Sequence, residues 1–153
     1  MKIFITTLLS FISCVIIVSS CSKNDNINDS DYFFEVEVDG KKFRTEGVTA
    51  YGIAHTDKVN IFGANSLEFT ENIYIELPEN FSEGTYSFNE SIFGYYIIGE
   101  DAYSSLLNGS GSVTIDYWDG FYIRGSFSFD AVNFDDESQV VKLRNGKFDV
   151  KMR

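Results

Sequence analysis

The chain has 153 residues and a formal net charge of −11 at pH 7, from 12 Lys and Arg against 23 Asp and Glu. This length suits one domain with a sizeable core, and 15 Phe and nine Tyr predict that the core is aromatic. The acidic balance argues against a nucleic-acid partner, which would need a basic surface, and against electrostatic adhesion to anionic lipid.

The first 20 residues have the layout of a secretory signal peptide. Lys2 provides a short basic start, residues 3–18 are mainly apolar, and Ser19 and Ser20 are the small residues expected before a cleavage site. A membrane-spanning helix needs about 20 consecutive apolar residues. This run is shorter and Thr and Ser interrupt it, so we predict that residues 1–20 are a cleaved lipoprotein signal peptide.

Val18-Ser19-Ser20-Cys21 resembles the lipobox of bacterial lipoproteins, in which a branched apolar residue and two small ones precede the cysteine that is lipidated. Polar residues follow Cys21, whereas Cys14 is followed by a further apolar stretch, which favours Cys21 as the lipidation site. Cys14 would leave with the signal peptide, so the mature chain would have no thiol for a disulfide. The resemblance implies anchoring to a membrane by lipid, which is stable when two or more acyl chains are attached.

Residues 21–31 are predicted to form a disordered tether between the anchor and the domain. Ile27 is the only apolar residue from Ser22 to Asp31, and such a segment cannot bury enough surface to order itself. Ser22-Lys23-Asn24-Asp25 also resembles the short export tag of Bacteroidota lipoproteins. This resemblance implies an outer-membrane protein on the cell surface, with the periplasmic face as the alternative location.

From residue 32 onward the sequence predicts one strand after another. Apolar and polar residues alternate over residues 34–38, and Asp39-Gly40 is typical of a two-residue hairpin turn. Further strand patterns occupy residues 48–54, 59–64, 72–77, 85–88 and 93–98. Residues 101–107 are compatible with one short helix. Because parallel strands need crossover connections, usually helical, the lack of a long amphipathic pattern in residues 32–153 favours an antiparallel fold.

Alternation is clearest from residue 111 onward. It predicts that Val113, Ile115 and Tyr117 share one face of a strand and that Trp118 lies on the opposite face. After a turn at Asp119-Gly120, the following strand alternates apolar with polar residues, as in an antiparallel strand with one solvated face.

The polar turn at residues 135–138 predicts a long hairpin. In its register Ser126 faces Gly146, with Gly125 alongside, and adjacent glycines let both strands bend. A tight hairpin at Asn145-Gly146 is the alternative. Residues 32–153 are therefore predicted to form a single all-β domain, either an antiparallel β-sandwich or a small β-barrel.

Four short motifs resemble the landmarks of a known family. They are Val38-Asp39-Gly40-Lys41-Lys42-Phe43, Gly111-Ser112-Val113-Thr114-Ile115, Arg124-Gly125-Ser126-Phe127-Ser128-Phe129 and Asn145-Gly146-Lys147-Phe148. In order and rough spacing they are similar to those of small Bacteroidota lipoproteins assigned to a domain of unknown function. The resemblance spans most of residues 32–153 and implies no particular reaction.

Candidate catalytic and metal-binding residues are few. His55 is the only histidine, which excludes a site built from several histidines, and no Gly-x-Ser-x-Gly motif accompanies it. The acidic run Asp135-Asp136-Glu137 lacks the spacing of a calcium loop and is interpreted as a solvated turn. We therefore predict no enzymatic activity, no metal and no cofactor. A carboxylate-dependent hydrolase is the least favoured alternative, since any acidic protein offers pairs of carboxylates.

Exposed aromatic residues are the best candidates for a binding site, because Tyr and Trp build many binding surfaces. Trp118, Tyr117 and Tyr122 cluster around one turn and form the predicted site, although cross-strand aromatic pairs also stabilise sheets. Tyr95, Tyr96 and Tyr103 are further candidates for the solvent face. The predicted function is a non-catalytic binding or accessory module for a glycan or a partner protein. The alternative is a carrier that holds a small apolar ligand inside a closed barrel.

Overall fold

The structure, a computed structural model, describes residues 32–153. The predicted signal peptide at residues 1–20, the tether at residues 21–31 and the lipidation site Cys21 lie outside the described residues. The strands are β1 (Phe33–Val38), β2 (Lys41–Glu46), β3 (Ala50–Ala54), β4 (Lys58–Ala64), β5 (Glu71–Pro78), β6 (Gly84–Ser87), β7 (Phe93–Ile98), β8 (Asp101–Ser104), β9 (Gly111–Trp118), β10 (Tyr122–Asn133) and β11 (Val140–Met152). A 3-10 turn spans Gly47–Thr49. Residues 32–153 contain no helix long and apolar enough to cross a membrane.

The strands form two layers that are joined at both sides. The first layer has the order β2-β1-β11-β10-β9-β6 and the second has β3-β4-β5-β7-β8, with antiparallel neighbours within each. Near its end, β11 pairs in parallel with β3, and the end of β10 pairs with β8. Hydrogen-bonded neighbours therefore close a ring through β3, β4, β5, β7, β8, β10 and β11. The all-β prediction is confirmed, and the fold combines both predicted architectures, because it is a sandwich whose layers close into a flattened barrel.

The core between the two layers is built around buried phenylalanine rings. Phe34 of the first layer and Phe129 of β10 are 0% and 1% exposed. Each ring reaches the backbone of the opposite layer at a glycine, since a Cβ atom at Gly63 would lie 2.4 Å from the Phe34 ring and one at Gly94 would lie 2.6 Å from the Phe129 ring. Glycine at these two strand positions therefore sets how closely the layers approach.

Strands β10 and β11 form the predicted long hairpin, and β11 runs unbroken through Asn145-Gly146, so the tight hairpin does not form. The predicted pairing of Ser126 with Gly146 is wrong, because Phe127 faces Gly146 instead. Residues 144–145 include one extra residue relative to β10, and Asn145 has a left-handed φ of 57°. This bulge shifts the register by one residue along the rest of the hairpin.

The prediction of one short helix at residues 101–107 is wrong. Asp101–Ser104 is strand β8, which pairs with β7 and with the end of β10, and a turn follows it. Tyr103 of this strand is part of the core, at 7% exposure. Ser105, in the turn, accepts a hydrogen bond on Oγ from the backbone N–H of Gly94 at 3.0 Å, which ties the turn to β7.

Candidate binding groove

The outer face of the first layer is charged on one side and rich in hydroxyl groups on the other. One row of residues in register crosses its six strands in the order Arg44, Glu35, Lys147, Ser126, Thr114 and Thr85. Residues that pair directly across a sheet point to the same face, so all six side chains lie on the outer surface. Strands β2, β1 and β11 thus carry long charged side chains, whereas β10, β9 and β6 carry short hydroxyl ones.

A groove with a volume of about 620 Å³ lies where the short side chains meet the long ones. Its floor is formed by Ser112, Thr114, Ser126 and Ser128, and its wall by Glu35, Glu37, Lys42, Asn145 and Lys147. The bulge in β11 brings Asn145 into this wall, where its Nδ2 donates a hydrogen bond to Oε2 of Glu37 at 3.0 Å. The volume falls within the range of about 300–1,000 Å³ that is typical of small-molecule sites.

The floor of the groove holds polar groups that the protein does not use itself. The hydroxyls of Ser112, Ser126 and Ser128 have no side-chain hydrogen bond within the part of the chain that the structure describes, and the Lys147 ammonium has no ion pair there. Thr114 differs, because its Oγ1 lies 2.9 Å from that of Thr85. A hydroxyl both donates and accepts, so this floor can hydrogen-bond a ligand that carries hydroxyl groups of its own.

The charged wall is held in place by ion pairs. Arg44 donates from Nη1 to Oε2 of Glu35 and from Nε to Oε1 of Glu46, the latter at 2.8 Å. These hydrogen bonds, with Glu46 the larger cause, raise the pKa of Arg44. Lys42 Nζ lies 3.9 Å from the same Glu35 oxygen. Two lysines and two glutamates line the groove, so its formal side-chain charges cancel and it favours an uncharged ligand.

Two of the three predicted aromatic residues lie on the same face as the groove. Tyr117 pairs with Arg124, one row beyond Ser126, and the Arg124 guanidinium lies 5.6 Å from the centre of the Tyr117 ring. Tyr122 lies one further row away and stacks on Tyr32 at 5.8 Å between ring centres. Both are close to the groove without lining it.

Trp118 does not join them. Its ring packs against Phe81 at 5.0 Å between centres and against the core. The prediction that Tyr117 shares a face with Ile115 is wrong, because Asp116 is an extra residue opposite β10, between the pairs Ile115–Gly125 and Tyr117–Arg124. A bulge of one residue exchanges the faces of all residues beyond it, which turns Trp118 inward. Whether any of these aromatic residues binds a ligand stays a prediction.

Carboxylates near Tyr117 show opposite pKa shifts. The backbone N–H groups of Phe121 and Tyr122 each donate to Oδ1 of Asp119 at 2.8 Å, which lowers the pKa of Asp119. Asp149 pairs in register with Arg124 on the outer face. Partial burial nevertheless raises the pKa of Asp149, since desolvation outweighs the attraction of Arg124.

The outer face of the second layer carries a ladder of stacked aromatic rings. Distances between successive ring centres are 5.2 Å from Tyr51 to Phe62, 5.3 Å to Tyr74, 4.7 Å to Tyr95 and 5.9 Å to Phe134. Among these five residues, the sequence pointed only to Tyr95. Each inner ring is covered on both faces by its neighbours, so few faces remain for a sugar ring. We interpret this aromatic ladder as cross-strand stabilisation of the sheet.

The remaining candidates for chemistry lie apart from the groove. His55 is exposed in the turn between β3 and β4 and is not part of the groove lining. In the acidic turn, the Asp136 carboxylate accepts hydrogen bonds from Ser138 and from Nε2 of Gln139, at 3.0 Å from the latter. Among the residues that the structure describes, no group of three or more His, Cys, Asp or Glu side chains is placed to hold a metal ion.

Comparison with known protein families identifies a match over most of the described residues. A family model described as "Domain of unknown function (DUF6252)" matches residues 30–150, which include all eleven strands except the last two residues of β11. No curated protein and no solved structure matches the chain.

Proposed function

The chain belongs to the DUF6252 family of domains of unknown function, and we propose that its groove binds a neutral oligosaccharide without catalysing a reaction. The single observation that carries this proposal is the set of serine hydroxyls on the groove floor that lack partners within residues 32–153. Sugars present closely spaced hydroxyl groups that donate and accept hydrogen bonds, as this floor does.

The wall of the groove complements the floor. Lys147 supplies an ammonium donor without an ion pair among the described residues, and Asn145 and Glu37 supply an amide and a carboxylate. Balanced charge favours a neutral glycan over an acidic one, and the exposed edge of Tyr117, 40% accessible, offers an apolar contact one row away. A partner protein is the alternative ligand for the same face.

The placement of the carboxylates supports binding rather than hydrolysis. A glycosidase needs two carboxyl groups on either side of the bond that it breaks. Glu35 and Glu37 both belong to β1 and lie along one wall of the groove, where Glu35 pairs with Arg44 and Glu37 accepts from Asn145. The floor carries only hydroxyl groups, so a sugar in the groove would meet carboxylates from the wall alone.

The proposal includes a location. The lipobox-like sequence that ends at Cys21 supports a lipid anchor in the outer membrane, and the polar residues 22–31 would hold the domain away from the bilayer. We place the domain on the cell surface, where glycans would reach the groove. Mass spectrometry of the mature N-terminus would detect acyl chains on Cys21, and protease added to whole cells would remove the domain. Cleavage only after the outer membrane is opened would place it on the periplasmic face instead.

An array of neutral and acidic oligosaccharides tests the proposed function. The protein used is residues 22–153, which contain the entire core and every described strand. We expect retention on neutral glycans, loss with Ser126→Leu, which fills the groove, and about fivefold weaker binding with Ser126→Ala, which removes one hydrogen bond. Ser91→Leu makes the matched change in the exposed turn before β7 and should leave binding unchanged. Equal binding by Ser126→Leu and Ser91→Leu would exclude the groove as the site.

A further inference from the structure

A second cavity opens between the two layers at one end of the molecule. It has a volume of about 430 Å³ and lies between the hairpin of β1 and β2 and the end of β7. Its walls are mainly apolar, and both layers contribute to them through Val38, Phe43, Tyr96, Ile98, Tyr103 and Val141. We call this cavity the end cleft. Lys42 is the one residue that lines both the end cleft and the groove.

Two tyrosines in the end cleft differ in how their hydroxyls are used. Tyr96 donates to Oε1 of Glu71 at 2.9 Å, and burial, the larger cause, together with this hydrogen bond raises the pKa of Tyr96. Tyr103, with its ring centre 5.8 Å from that of Tyr96, is 7% exposed, and its hydroxyl has no partner in residues 32–153. No described side-chain nitrogen or oxygen is both fully buried and unpaired. The Tyr103 hydroxyl is therefore not fully buried, and Tyr103 lines the cleft.

An otherwise buried hydroxyl without a protein partner needs a hydrogen bond from another source. Water can supply it, but the cleft is much larger than one water molecule and its walls are apolar, which favours an apolar body beside the hydrogen-bonding group.

Charges at the rim of the end cleft cancel. Lys41 and Lys42 face Asp39 and Glu71, so the four formal charges sum to zero. Three of these groups already have partners in the protein. Lys42 Nζ lies 3.9 Å from Oε2 of Glu35, and Asp39 Oδ1 accepts a hydrogen bond from the backbone N–H of Lys142 at 2.9 Å. Glu71 accepts the hydrogen bond from the Tyr96 hydroxyl. A charged ligand would meet an opposite charge and a like charge together, whereas an uncharged ligand would not.

We propose that the end cleft binds a small uncharged apolar molecule with one hydrogen-bond acceptor, which accepts from the Tyr103 hydroxyl. The apolar body lies against Phe43, Ile98 and Val141, and the acceptor points inward toward β8. Because the interior of the barrel is filled by side chains such as Phe34, Phe129 and Phe148, the ligand occupies the end of the molecule rather than its centre. This inference does not depend on glycan binding by the groove.

Titration with Nile red tests the proposal, because this dye is uncharged, apolar and carries a carbonyl acceptor. We expect residues 22–153 to bind it saturably at one site, with its emission shifted to the blue. Ile98→Asp places a charge in the wall at a position that is 41% exposed, so the fold should tolerate it, and binding should be lost. Leu67→Asp is the matched control on another exposed aliphatic residue and should bind as the wild type does.

Tyr103→Phe keeps the ring and removes the hydroxyl, so we expect about fivefold weaker binding with an unchanged number of sites. Decanol should displace the dye, and decanoate, which has the same chain and a negative charge, should compete at least tenfold less well.

Equal dye binding by Ile98→Asp and Leu67→Asp, or better competition by decanoate than by decanol, would overturn the proposal. Ser126→Leu should leave dye binding unchanged, which separates a failure of this proposal from a failure of the groove.

Discussion

Gly63→Ala tests whether direct contact between ring and backbone sets the spacing of the two layers. A Cβ atom at Gly63 would lie 2.4 Å from Cδ1, 2.5 Å from Cγ and 2.9 Å from Cβ of Phe34. Rotation of the ring cannot remove the contact with the Phe34 Cβ atom, so β1 must move away from β4. Phe34 is fully buried against Phe127, at 5.1 Å between ring centres, and that movement disturbs the centre of the core.

The expected loss follows from two opposing terms. Overpacking of a core lowers the free energy of unfolding by about 1–3 kcal/mol. Replacing glycine by alanine restricts the unfolded chain, which raises the free energy of unfolding by about 0.4–1 kcal/mol. We therefore expect Gly63→Ala to lower the free energy of unfolding by about 1–2 kcal/mol. For a domain of this size, that corresponds to a fall in Tm on the order of 5–10 °C.

Urea unfolding of residues 22–153, followed by the fluorescence of Trp118, measures this loss, because Trp118 is the only tryptophan and packs against the core. Phe34→Ala removes the Cγ and Cδ1 atoms that lie closest to the new methyl group. It should therefore partly rescue Gly63→Ala, so that the double variant is about 1 kcal/mol more stable than the two single losses predict. Gly40→Ala is the control for a cost that does not come from packing. Apart from its chain neighbours, no described residue has an atom within 4 Å of its Cβ, and its φ of +79° makes the change costly through backbone strain. Full stability of Gly63→Ala, or a lack of rescue, would refute the account of layer packing.

Three further predictions concern the aromatic ladder, pH and the tryptophan. Tyr74→Ala removes both of its stacking contacts and should lower the free energy of unfolding by about 1–3 kcal/mol in urea; no change would show that the ladder does not stabilise the sheet. Burial raises the pKa of Asp149 in the folded state, so the folded protein holds this proton more tightly than the unfolded chain and gains stability as pH falls. Asp149→Asn should therefore raise Tm at pH 7 and lose this advantage below about pH 4, near the unfolded pKa of aspartate; a lower Tm at pH 7 would contradict the shift. Trp118→Leu should lower Tm, because it removes the packing of Trp118 against Phe81, and should leave retention on glycans unchanged. Loss of retention without loss of stability would show that Trp118 takes part in glycan binding.

Local sequence patterns predicted the strands and one turn correctly. Period-two alternation placed most strands, and Asp39-Gly40 forms the expected hairpin turn with φ angles of 47° and 79°. Both positive angles belong to the primed turn type that matches the twist of a hairpin. The family landmark at residues 38–43 therefore corresponds to this hairpin, and the landmark Asn145-Gly146-Lys147-Phe148 lies at the bulge of β11.

Two β-bulges explain where the alternation of apolar and polar residues predicted the wrong face or the wrong partner. Asp116 and Asn145 each belong to a stretch with one extra residue, and neither interrupts the alternation in a way that the sequence reveals. An inserted residue inverts every face beyond it, which moved Trp118 to the core and changed the partner of Gly146. The bulge at Asn145 also places this residue in the groove wall. The same local irregularity therefore made the predicted pairing of β10 with β11 wrong and helped to form the site.

The candidate site itself could not be predicted because it depends on the order of the strands. Glu35 and Thr85 belong to the same row only because β11, β10 and β9 lie between their strands. The aromatic ladder depends likewise on the order β3, β4, β5 and β7. Long-range pairings of this kind leave no trace in the spacing of residues along one segment.

Amide chemical-shift mapping with a neutral oligosaccharide retained on the array tests the central claim most directly. Isotope-labelled residues 22–153 are titrated with the glycan, and the account predicts the largest shifts at Ser112, Ser126, Ser128 and Lys147 on the groove floor and wall. Shifts confined to the aromatic ladder or to the end cleft, with these four residues unmoved, would contradict glycan binding in the groove.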